Sequence, residues 1–445
     1  MILALCLYAA ITSENHKISS AHASYKEDCL FLEGNVRLEH PIGILIAESA
    51  TLRKEELSDT PFTYVTLSDH VSCTFPSGEH LSCDRAEIDM TTATANLFSN
   101  QDRSVICEVS LTQESHIYPL KLQGKQMRCQ FAEKEHSLKQ LHGSEDIIVE
   151  YMNTLFLKAD NILYEEFCCT ASSHHLCELI YQGETLFTPS LSLNLSTHVA
   201  HLVKPHGSIA TALLCEGQGG VVTSSCDELL WDMSTNTLCL QGNASLQEEH
   251  LGTLHASQQL TLIEEQGRIR QLDIQGPARL QRGTSVLQSP RALHIEKGIA
   301  TAQGSTEEPV QYTDQELSIS GNTLQVFYEE ATYTPSHLTW NGSIHMQIHN
   351  DASSSCCGIA DEASYDLVTH RLHLRAHEDH FVLFLDQEQG VTLKAHEVQI
   401  FDDPFSAKRV FQAIGPATFT FSDSELLSLR HLFPAIFSQQ EKHDP

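Results

Sequence analysis

The chain has 445 residues, 41% hydrophobic and 19% charged, enough apolar side chain for a large core and too much for wholesale disorder. Its 27 Lys+Arg stand against 58 Asp+Glu, a formal charge of −31. That field repels phosphate backbones, sets aside nucleic acid as a partner and disfavours docking on an anionic lipid surface.

In chain order, the first feature is the apolar run Ile2 to Ile11. It is shorter than the roughly 20 residues that span a bilayer and reads as the apolar part of an export signal. Ala21-His22-Ala23 supplies a small-x-small cleavage site, so residues 1–23 are expected to be a leader.

From residue 24 the pattern is that of strands. In Leu30-Phe-Leu-Glu-Gly34-Asn-Val-Arg-Leu38 the residues Leu30, Leu32, Gly34, Val36 and Leu38 share one face. The same phase returns in Leu238-Cys-Leu-Gln-Gly242-Asn-Ala-Ser-Leu246, Leu272 to Leu280 around Gly276, Leu338 to Met346 around Gly342, and Phe411 to Phe419 around Gly415. A glycine on the apolar face lets a sheet bend or a neighbouring layer approach, so these glycines are read as packing and curvature devices.

A second strand type begins with a small residue and an acid: Ala47-Glu48, Cys83-Asp84, Ala159-Asp160, Cys226-Asp227 and Ala360-Asp361. Those acids are expected to be solvated and too far apart to act as an acid–base pair. Three of these strands continue into Asp89-Met-Thr-Thr, Asp232-Met-Ser-Thr and Asp366-Leu-Val-Thr, turns opened by a carboxylate that bonds local amides. The unit of strand, turn, strand, Asp-opened turn recurs roughly every 28–39 residues, as stacked supersecondary repeats do.

Some stretches fit less well. "FCCTASSHHLCE", with Cys168, Cys169, His174, His175 and Cys177, lacks paired C-x-x-C spacing and is expected to be a polar or disulfide-bearing loop. "CELIYQGETLFTPSLSLNLSTHVAHLVKPHGSI" reads as an irregular insertion. The spacings of Cys73/Cys83 and Cys107/Cys129 are compatible with bridges between neighbouring strands, without fixing them. "DDPFSAKRVFQAI" has room for one helical turn, and residues 422–445 read as a capped terminal helix and tail.

The strand L-x-G-N-V-x-L, the strand A-D-x-A-x-Y and the D-x-x-T turn together resemble the LptA/OstA (organic solvent tolerance) family, the periplasmic β-jellyroll of lipopolysaccharide transport. Residues 30–38 with 44–52 carry the resemblance best, then 226–246 and 338–374. It implies an all-β fold, an elongated, repeat-built β-jellyroll in two or three consecutive segments. They are expected over 24–165, 166–300 with its irregular insertion, and 301–421.

The resemblance further implies a periplasmic, non-enzymatic conduit that needs no cofactor or metal and carries acyl chains towards the outer membrane. Its partners would be lipopolysaccharide or a related lipid, and other bridge β-jellyrolls joined by strand addition. Candidate lining residues are Leu32, Val36, Leu38 and Ile46, then Leu240 and Leu246, then Ile344, Met346, Phe419 and Phe421. Two other readings remain open. An exported β-solenoid would present a structural or adhesive outer face without transport. An enzyme on a β-helix would need clustered carboxylates and basic residues, and no nucleophile, zinc or phosphate-loop motif is present.

Overall fold

The computed structural model describes residues 17–421 apart from 41–42, 55–62, 75–79, 90, 101, 114–115, 132–137, 166, 211, 214–220, 250, 266–267, 297, 330–333, 350–354, 378, 387–389 and 403–408. Among these residues every regular element is a β-strand, and pairing is antiparallel except where 212–213 runs parallel to 268–269. The terminal helix expected over 422–445 lies outside the described residues, as does the stretch 403–408 of "DDPFSAKRVFQAI". Of the rest of that stretch, Asp402 ends the strand Val391–Asp402 and 409–414 belong to the strand Arg409–Phe421.

The chain forms two compact units, Met1–Ile209 with Glu228–Thr235, and Ala210–Asp227 with Asn236–Pro445. The positions 165/166 and 300/301, expected as segment boundaries, lie within strand pairs: Leu155–Glu165 pairs Cys168–Tyr181, and Ala292–Glu296 pairs Ile299–Gln303.

Each unit is a pair of β-ladders joined along one edge, because the chain bends midway through each passage. Cys29–His40 shows how. Its half 29–33 pairs with 22–26 and 49–53, whereas 37–39 pairs with 17–19 and 44–46. Between the halves the register slips at Gly34 and Asn35, both left-handed at φ 75° and 48°. This two-residue bulge turns the strand from one ladder into the other while keeping its apolar phase. Asp69–His70, Glu145–Asp146 and Gly342–Ser343 repeat the left-handed pair at the same kind of slip.

The repeated glycine is therefore a corner. At Gly34 the corner is also crowded: a Cβ there would lie 2.8 Å from that of Ala21. Ala21 is thus part of the fold, lying between the strands Lys17–Ser19 and His22–Lys26, so the leader expected over 1–23 overlaps the first layer at 17–23.

Opposite the corner edge, each ladder turns back on itself through hairpins. The Asp-opened turns sit there: Asp232 Oδ1 accepts the N–H groups of Ser234 and Thr235 at 2.9 and 3.3 Å. Asp366 does the same for Val368 and Thr369. Asn194, in the stretch read as an insertion, holds Ser196 and Thr197 in the same way. That stretch is regular ladder, with strands Cys168–Tyr181, Glu184–Asn194, Val199–Val203 and His206–Ala210. It escaped the pattern because Asn replaces Asp and its corner carries no glycine.

The cysteines are placed as small apolar side chains. "FCCTASSHHLCE" is strand, with Cys169 and Cys177 buried thiols. Cys83 stands opposite Val71 and Cys73 opposite Leu81, while Cys107 faces Leu122 and Cys129 faces Ala95 and Leu141. Cys83 and Cys129 are free thiols, so the spacings that were compatible with bridges are not used for them.

Candidate functional site

The ladders face each other across an apolar interior to which nearly every strand contributes two or three side chains. A tyrosine–tryptophan pair marks the closeness of the faces in each unit. In the first, Tyr181 meets Trp231 edge-on with centroids 5.2 Å apart. In the second, Tyr312 meets Trp340 at 6.1 Å.

Seven of the ten candidate lining residues lie in this interior. Leu32, Val36, Leu38, Leu240, Leu246, Ile344 and Met346 are between 0% and 4% exposed. Such burial means that side chains already fill most of the interior; a guest there must part the ladders.

Ile46 is on the outside, 39% exposed, and its neighbours Leu45 and Ala47 point inward in its place. The run Ile44-Leu45-Ile46-Ala47 is apolar on both faces, so alternation gave no phase to choose by. Phe419 has the inner phase opposite buried Leu393, yet is 48% exposed because Arg409–Phe421 is the last described strand of both ladders. The side chain of Phe421 lies outside the described part of the molecule.

The interior is not shut everywhere. In the second unit a half-open cavity of about 120 Å³ lies between the ladders. Leu280, Leu287 and Tyr312 come from one ladder; Ile295, Ala300 and Val326 come from the other. Arg282 and Ser285 stand at its hairpin edge. The Tyr312 hydroxyl donates to Asp314 Oδ2 at 3.0 Å, and burial pushes its ionisation upward. Sequence reasoning missed this place. Its one signal was an aromatic and an arginine on strands whose phase otherwise calls for Leu, Ile or Ala.

Charge is kept to the edges of the interior. Glu184, Glu248, Glu264 and Asp386 share the phase of inner residues near the hairpin edges and are only 3–5% exposed. Glu248 accepts the Leu251 N–H at 2.5 Å.

The acids of the second strand type were expected to be solvated, and several instead fasten the corners. Asp84, 8% exposed, accepts the Asn100 N–H at 2.8 Å and an Arg103 N–H at 3.2 Å. Asp160 accepts Ser173 Oγ–H and the His174 N–H, which hold its carboxyl below the usual range. Asp361 accepts the His377 N–H at 2.8 Å with the same consequence. The signal was their fixed place after a small residue, just where the chain bends.

No protein-family model and no curated protein matches the chain. Among solved structures there is a weak likeness to LptH, the LptA homologous periplasmic component of the conserved lipopolysaccharide transport device from Pseudomonas aeruginosa. It is 12% identical, covers 31% of this chain and 94% of that one, and has a TM-score of 0.25.

Proposed function

We propose that this protein is a non-enzymatic lipid carrier. It would take acyl chains between the ladders of its β-jellyroll-like units and leave polar head groups in water. The observation that carries the reading is the interior itself: successive strands line it with Leu, Ile, Val and Ala, and the ladders are joined through the chain along one edge only. An alkyl chain entering at the hairpin edge would gain about 0.8 kcal/mol per methylene removed from water. Many similar apolar rungs in series suit transfer along a unit better than one tight site. The repeat resemblance makes lipopolysaccharide the proposed cargo and the periplasm the proposed compartment. Further β-jellyrolls would pair with the outermost strands by strand addition.

One observation favours a second reading, a dry structural scaffold: most inner side chains are fully buried. Photocrosslinking decides between the two. A small diazirine amino acid at Val36 or Ile344, with one at the exposed corner residue Asn35 as control, is irradiated with lipopolysaccharide. Lipid attached at the inner positions and not at Asn35 supports the carrier. Equal labelling, or none, leaves the scaffold.

A further inference from the structure

We propose that the half-open cavity of the second unit seats the end of a single alkyl chain, inserted tail first, with an anionic head held at the lip beside Arg282 and Ser285. This rests on the carrier reading and narrows it to one place and one class of ligand, the single-chain anionic amphiphile.

Size comes first. At about 120 Å³ the cavity is close to the roughly 150 Å³ of an apolar cavity that stays dry and takes up benzene. It therefore holds about six carbons of one chain, not the several chains of a large glycolipid.

Chemistry comes second. Leu280, Leu287, Ile295, Ala300 and Val326 offer a seated chain nothing but carbon, so the gain is that of transfer from water. Arg282 is the one charged side chain among the lining residues, and it stands at the lip of a protein whose formal charge is −31. A carboxylate or phosphate head meets a local cation there, against a field that elsewhere repels it.

Place comes third. Leu240, Leu246 and Ile344 of the same unit are at most 1% exposed, whereas Leu280, Tyr312 and Val326 share the inner phase and are only half-buried. The strands around the cavity are short, and the corners beside them carry Pro277 and Pro290. Proline has no N–H to donate, so a strand is not carried through the bend as it is at Gly34.

The chain's two tryptophans supply the test. Trp340 touches the cavity wall through Tyr312, and Trp231 lies in the other unit. In full-length W231F, whose remaining tryptophan is Trp340, 12-bromododecanoic acid is expected to quench emission saturably. In W340F, which reports Trp231, it should not. Ala300→Phe fills the cavity and should abolish the quenching. Because that variant could misfold, R282Q provides a second reading. It should weaken binding of the acid about twofold to fivefold and leave 12-bromododecanol unaffected.

Equal quenching of both tryptophans, quenching that never saturates, or none at all overturns the proposal. The failures separate. Inner-position crosslinks without Trp340 quenching keep the carrier and remove this cavity. Saturable Trp340 quenching without any crosslinks keeps the cavity and removes the carrier.

Discussion

The two units build the same pair of ladders with different corners. In the first, long strands such as Cys29–His40, Gly43–Arg53 and Leu138–Tyr151 run through the bend as bulged but unbroken strands. In the second, between residues 237 and 303, the chain is cut into strands of five to eight residues. The corners there include Gly276-Pro277 and Pro290-Arg291. The half-strands on either side of a corner are about as long in both units. What changes is whether one strand continues through the bend, and the half-open cavity lies beside corners where it is interrupted. An unbroken bulge carries the strand itself round the corner; an interrupted corner is fastened by single backbone bonds, such as the Gly276 N–H to the Arg291 carbonyl at 2.7 Å.

The largest effects should come from deleting inner side chains on each side of this contrast. Leu67, fully buried in the first unit, has no space around it to relax into, and Leu67→Ala should cost about 2–5 kcal/mol. Leu287 borders an existing cavity and is 6% exposed, so Leu287→Ala should cost about half as much. Urea unfolding of the two variants checks the order. Equal losses would mean that the second unit is packed as tightly as the first.

Glycines test the corners and close approaches. Gly207, at φ 141°, lies so near the Thr185 carbonyl that an added Cβ would sit 2.3 Å from its oxygen. Backbone cannot swing aside, so Gly207→Ala should cost about 3 kcal/mol. Gly276 at φ 87° faces only the end of the Gln258 side chain. Gly276→Ala should then cost little more than the left-handed conformation itself, about 1–2 kcal/mol. If the order were reversed, the looser corner would be the more constrained one.

Thiol chemistry gives a smaller, kinetic contrast. Burial pushes the Cys83 and Cys169 thiols up to about 12. At pH 8 both should resist iodoacetamide in the folded protein and react only on unfolding, as mass spectrometry of labelled peptides would show. Rapid native labelling would mean that the first unit opens more readily than its long strands imply.

How much of this was legible beforehand follows from the period of the strand. Alternation placed Val36 and Ile344 on the buried face, because each has polar residues on either side. It failed at Ile46, where both faces are apolar. The Asp-opened turns were readable because their chemistry is local, completed within three residues. The corner role of Asp84 was not, since its partners Asn100 and Arg103 lie across the ladder. Nor was the cavity, which depends on how far apart two faces stand, a distance no single strand encodes.

The smallest effect is one the two units should share. Asp160 in the first and Asp361 in the second both have carboxyls held below the ordinary range. The main cause is the Ser173 hydroxyl for Asp160 and the His377 amide for Asp361. A carboxyl whose folded value lies below its unfolded value, about 3.9, binds fewer protons in the folded state through that window. Its stabilisation is complete above about pH 4 and is lost as pH falls through the lower, folded value. Urea midpoints should therefore be level near pH 5 and fall towards pH 3. Asp160→Asn and Asp361→Asn keep an oxygen acceptor but not the charge, so each should lower the midpoint at pH 5 and flatten the fall. A flattening confined to Asp361→Asn would show that the two corners are not equivalent, although both carboxylates sit on long, unbroken strands, Leu155–Glu165 and Ser355–Asp366.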